Sequence, residues 1–187
     1  VEAAEGPLLG PWVTTAPTGA EMPSMPTPRI NVASAVVAGH LVVLGGQTAP
    51  GNENIVGTVE VYRSTLAPGP AAKNVWQTDT SLGGIHQPMP APRTGASAAV
   101  VPDPFDNNRR YVVVVGGLGP DVFDENENGN TTELISSTLV QVYDFGARTW
   151  TVDKARKGLG GWGAALVRVP EPFTDLNNDR EWNVGEP

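Results

Sequence analysis

The chain has 187 residues, a formal net charge of −8 and no cysteine. That length holds one domain with a sizeable core. The negative charge disfavours nucleic acid and anionic membranes as partners, and the missing thiols exclude disulfides, Cys-ligated metals and a thiol nucleophile from this stretch.

Hydrophobic residues make up 40%, beside 22 Gly and 18 Pro, which suits short strands and turns better than helices. Residues 1–27, rich in Pro, Ala and Thr, read as an N-terminal arm or the end of a preceding unit. A first unit covers 28–83. Its strands are expected at 30–38, 41–44, 58–62 and 75–78, with a two-residue turn at Gly39-His40 and Gly45-Gly46 closing the second strand. His40, in that turn, is expected to be exposed, and neither His40 nor His86 has a second histidine at ligand spacing.

A second unit covers 84–154. Strands are expected at 96–101, 111–115 and 140–143, and around Trp150. A loop rich in Asp, Glu and Asn fills the interval between Gly117 and Leu139, long enough to suggest a functional role. The beginning of a third unit covers 155–187. Residues 161–169 repeat the small-residue strand, and Pro-Glu-Pro-Phe at 170–173 echoes Pro-Asp-Pro-Phe at 102–105. No apolar run is long enough to span a bilayer.

The same phrase therefore occurs twice: Pro-x-Pro-Arg at Arg29 and Arg93, an apolar strand ending Gly-Gly, Val-x-Val-Tyr at Tyr62 and Tyr143, then Trp76 and Trp150. A fixed order of such landmarks marks a repeat architecture. It resembles kelch repeats, over about residues 28–169, with a period longer than the family's usual ~50 residues. The resemblance implies an all-β fold: a kelch-type β-propeller segment of about two complete four-stranded blades plus part of a third. Propellers close with about 4–8 blades, so further blades are expected from a longer chain or from other chains. The repeated Arg, Tyr and Trp are expected to be structural, with each guanidinium bonded to carbonyls or acids and each ring packed in a blade.

Two stretches have the spacing of calcium loops. Asp175, Asn177, Asp179, Glu181, Asn183 and Glu186 fall at positions 1, 3, 5, 7, 9 and 12 of such a loop, where alternate oxygens converge and a final Glu closes the shell. Arg180 stands where Gly normally turns the chain. Asp124, Asn126 and Asn128 take positions 1, 3 and 5 of a second loop with Gly129 at the turn, followed by Asn130 and by Glu133, which falls at position 10 while Ile135 stands at 12. Such residues also form Asx turns without any metal. Weak calcium loops fill only at millimolar calcium, which points to an extracellular, periplasmic or cell-surface setting.

No phosphate loop, dinucleotide fingerprint or nucleophile elbow occurs. The leading expectation is a non-catalytic, calcium-braced binding or assembly module whose ligand is a protein or carbohydrate. Two alternatives stand beside it. One is a propeller enzyme, resembling copper-radical oxidases or sugar-acid isomerases, with its active site largely outside this segment. The other is a structural subunit of a surface layer or filament.

Overall fold

The computed structural model describes residues 23–153, apart from 104 and 107. Among them there is no α-helix, only ten strands and single 3-10 turns at Asn52–Asn54 and Thr80–Leu82. The first sheet is an antiparallel meander of β1 (Ala33–Val37), β2 (His40–Leu44), β3 (Val59–Arg63) and β4 (Val75–Gln77). The second contains β5 (Ser97–Pro102), β6 (Arg110–Val115), β9 (Val140–Asp144) and β10 (Thr149–Asp153), paired in the same order along the chain. Between β6 and β9, where sequence suggested a plain loop, β7 (Leu118–Pro120) and β8 (Leu134–Ser136) pair as a two-stranded ribbon. The segment between them is irregular. No helix among the described residues is long and apolar enough to cross a membrane.

The first hairpin turns one residue earlier than expected. Ala38 and Gly39 are its central pair, with φ of 47° and 74°, and Val37 pairs with His40. Two successive positive φ angles match the twist of the flanking strands. His40 is thereby drawn into β2, and it is 5% exposed rather than free in solvent. The Gly-Gly landmark also has a geometric cause. Gly45 and Gly46 have φ of 60° and 97°, Gly116 and Gly117 of 68° and 86°, a region that side chains with a Cβ rarely occupy. A Cβ on Gly45 would lie 2.4 Å from the Arg93 carbonyl oxygen, and Gly46 N–H donates to that same oxygen at 2.7 Å.

Strand alternation gives each sheet two faces. In the first sheet, Ala33, Leu44 and Val59 stand in register on one face, as do Val42 and Val61; Ser34, Val43 and Glu60 share the other. In the second, Ala98, Val114 and Gln141 share a face with Val100, Val112 and Tyr143. The core forms where Val42, Leu44, Val59 and Val61 meet Val112, Val114 and Tyr143. Each such buried aliphatic side chain contributes ~1.5–3 kcal/mol. Val43 and Val114 both stand two residues before their Gly-Gly pair, as Glu60 and Gln141 both precede their Val-Tyr. The sheets therefore stack head to tail: the face that the second sheet turns to the core is the counterpart of the face that the first turns away. They approach most closely where β1 lies against β5.

The repeated aromatics are equivalent in detail. Tyr62 and Trp76 have ring centroids 5.3 Å apart, Tyr143 and Trp150 4.9 Å. Trp76 donates its indole N–H to Pro23 O at 3.0 Å and Trp150 to Gln87 O at 2.9 Å. Pro23 and Gln87 each stand six residues before the repeat's arginine. The last strand of each unit thus holds the segment leading into that unit.

Candidate functional site

The acidic insertion of the second unit is built on a buried base. The Arg93 side chain is 1% exposed. Its Nη1 donates to the carbonyls of Pro92 and Pro120 at 3.2 and 2.9 Å, and Nη2 donates to Glu125 Oε1 at 2.6 Å and Ser137 Oγ at 2.7 Å. Burial lowers the Arg93 pKa, and the carboxylates of Glu125 and Asp121 oppose that shift. Glu125 Oε2 accepts from Thr138 N at 2.7 Å and from Thr138 Oγ1 at 3.2 Å. Asp121, fully buried, accepts from Glu125 N at 2.7 Å and from Asn126 N at 3.4 Å. Charged acceptors that meet this many donors are the stable form of a buried carboxylate. Two acids outside the calcium-like spacing, Asp121 and Glu125, thus tie the insertion to the segments that flank the second sheet. Spacing gave no signal for either.

The residues that spacing did single out form the exposed tip. Asp124 Oδ1 accepts from Gly129 N at 2.9 Å. The side-chain oxygens of Asn126, Asn128 and Asn130 accept from the backbone N–H of Asn128, Asn130 and Thr132 at 3.2, 2.7 and 3.2 Å, a chain of Asx turns. The amide nitrogens of Asn126 and Asn128 both donate to Glu133 Oε1, the latter at 2.6 Å. Asn126, Asn128 and Glu133 therefore converge, while Asp124 and Asn130 serve backbone turns. Among the described residues no group of three or more His, Cys, Asp and Glu is placed to hold a metal ion. In this arrangement the two amides turn nitrogen, not oxygen, toward the meeting point. A half-turn of each amide would exchange the two poles. Asp175, Asn177, Asp179, Glu181, Asn183 and Glu186 lie outside the described residues.

The first unit solves the same arginine position differently. Arg29 Nη2 donates to Glu60 Oε2 at 3.1 Å, and both side chains are fully buried. Burial lowers the Arg29 pKa against the pull of Glu60 and Asp79. At the Glu60 position the second unit has Gln141. Its amide accepts from Ala91 N at 3.0 Å and donates to Ala91 O at 3.0 Å, clamping the segment that leads into β5. With that acid gone, Arg93 takes its counter-ion from the insertion instead.

A polar seam joins the two units. His86, 2% exposed, has Nδ1 2.5 Å from Tyr143 Oη and Nε2 3.4 Å from Gln77 Oε1. Burial, with Arg148 and His40 nearby, pushes its pKa down to about 4. Burial pushes the Tyr143 phenol up, so the hydroxyl keeps its proton and donates to neutral His86. Asp79, fully buried, accepts from Val59 N at 2.7 Å and Ser81 N at 3.0 Å. His40 bonds Ala38 O at 2.9 Å through Nδ1, with Nε2 3.1 Å from Arg63 Nη1. Both histidines are occupied by structural partners. No protein-family model matches the chain, and a search of curated proteins returns no match.

Proposed function

We propose that the chain is a non-catalytic segment of a kelch-type β-propeller, acting outside the cell or at its surface as a binding or assembly module that further blades complete. The observation that carries this reading is the equivalence of two successive four-stranded meanders. They stack head to tail, with the Tyr–Trp pair and the indole bond to the lead-in segment at the same repeat positions. A face-to-back contact between repeats generates a ring or an open array, because each copy presents what the next one accepts. Charge and loop placement support a protein or carbohydrate ligand over nucleic acid. Imaging of the protein purified from its source tests this: a disc of radially arranged sheets is expected. A particle of 19.6 kDa with no sheet beyond these two overturns it.

Calcium at the tip of the insertion is the second element of the proposal. It is favoured by the convergence of Asn126 and Asn128 on Glu133. Turned amides would add two neutral oxygens to that carboxylate, an all-oxygen set of the kind calcium takes, in exchange for the bonds those oxygens accept from Asn128 N and Asn130 N. Calcium would then brace a tip whose base Glu125 and Asp121 already hold. Isothermal titration of the chain with calcium tests it. Heat that Glu133→Ala abolishes is expected, and no heat at millimolar calcium overturns it.

A further inference from the structure

The open face of the second sheet has a specific counterpart inside the molecule. Val113 and Val115 stand before Gly116 as Val42 and Leu44 stand before Gly45, and Val140 and Val142 flank Gln141 as Val59 and Val61 flank Glu60. On the first sheet these four positions are 0, 1, 0 and 0% exposed, because the second sheet covers them. On the second sheet all four are only half-buried, and Val101, the counterpart of Val37, is 37% exposed against 2%. A run of aliphatic side chains on one face of a sheet calls for an apolar cover.

On the first sheet the innermost strand of that cover is β5, which lies against β1. The chain repeats the pattern of β5 once more in part. Within 161–169, residues 163–169 carry small and apolar residues as 95–101 do, apart from Arg168 at the place of Val100, and they run into Pro-Glu-Pro-Phe as β5 runs into Pro-Asp-Pro-Phe. Matching the two Pro-x-Pro-Phe motifs puts Leu166 at the place of Ala98, a residue packed against the core. The segment begins shortly after β10 ends at Asp153. Fully extended, the intervening residues reach ~25 Å. That exceeds the ~17 Å from the outer strand of one sheet to the inner strand of a sheet stacked on it, at ~4.8 Å between strands and ~10 Å between sheets.

We infer that the face formed by Val113, Val115, Val140 and Val142 is the docking surface for residues 161–169 of the same chain, with Leu166 as its apolar contact. This rests on the reading of the chain as repeated blades, and it adds which face is used and which segment fills it.

The absence of native cysteine allows a clean test by thiol labelling of the full chain. Single variants Val113→Cys and Val142→Cys are compared with Leu66→Cys, at a residue 84% exposed, and Val42→Cys, in the core at 0%. The expected result is protection of Val113→Cys and Val142→Cys, on the order of 100-fold or more relative to Leu66→Cys. That protection should be independent of protein concentration and lost when Leu166→Asp is added. Labelling as fast as Leu66→Cys overturns the inference. Protection that grows with protein concentration also overturns it, since a second copy would then be the cover. Protection that survives Leu166→Asp assigns the cover to another segment and likewise overturns it. If Val42→Cys itself labels freely, the stacked-blade reading fails along with the inference.

Discussion

Glu125 reaches from the acidic insertion to Arg93, 2.6 Å away, with both side chains buried. Removing one partner of such a pair leaves an uncompensated charge and costs ~3–5 kcal/mol. Glu125→Ala is therefore expected to lower stability by that order in urea unfolding and to open residues 121–138 to proteolysis. Asn128→Ala, at the exposed tip, should stay within ~0.5 kcal/mol. Equal effects of the two variants would show that the insertion is not anchored through Glu125.

Gln141 and Glu60 occupy one repeat position but are not interchangeable. Gln141→Glu would lose the donor to Ala91 O and turn a buried carboxylate toward a carbonyl oxygen, with Arg93 already committed to Glu125. A cost of ~2–5 kcal/mol at neutral pH is expected, visible as a lowered denaturation midpoint. The cost should shrink at acid pH, where the new carboxyl takes up a proton. A neutral substitution would mean that the Ala91 clamp contributes nothing.

The His86 pKa is depressed to about 4 in the folded protein, against ~6.5 in an unfolded chain. The folded state thus favours the neutral imidazole. Its contribution is complete above pH ~6.5 and is lost as the pH falls from there through 4. Burial depresses the His40 pKa as well, which acts in the same direction. Stability measured between pH 7 and 4 should decline, and His86→Gln should flatten the decline. An unaltered slope in that variant would place the titration elsewhere.

Gly45 and Gly129 both have positive φ, 60° and 79°, but only Gly45 is crowded, against Arg93 O. Gly45→Ala should cost ~2–3 kcal/mol from strain plus the clash. Gly129→Ala, with nothing within 4 Å of its Cβ, should cost ~1 kcal/mol. Thermal unfolding of the two variants checks the difference.

Calcium at the tip should raise stability by ~2.7 kcal/mol when present at a hundredfold excess over its Kd. A chelator should reverse this, and Glu133→Ala should show no calcium-dependent shift. Identical melting curves with calcium and with chelator would exclude a bound ion under those conditions.

The sheets were legible in the sequence because the period of alternation, the Gly-Gly pairs and the Val-x-Val-Tyr motifs are local signals. Strands at 41–44, 111–115 and 140–143 fall within β2, β6 and β9. The burial of His40 was not legible, because one residue of turn register decides whether it belongs to the turn or to β2. The β7–β8 ribbon was hidden for a related reason: strands as short as Leu118–Pro120 and Leu134–Ser136 show too few alternations to register. At the insertion, spacing picked out the tip and overlooked its anchors. Asp121 and Glu125 owe their roles to Arg93 and to the donors at Ser137 and Thr138, which only the folded chain brings to them.

The end at which β1 meets β5 carries small side chains, Ala33, Ala96 and Ala98, while Tyr143, Trp150 and Phe145 belong to the outer strands and their connection. The interface is therefore a wedge, thin on the inside and thick on the outside. Its opening angle is set by the difference in side-chain volume between the two ends, and in the proposed propeller that angle would determine how many such wedges fill a circle. Enlarging Ala98 alone would thicken the thin end and make the stack more nearly parallel. The residues with the smallest side chains at this interface are thus the ones that fix its curvature.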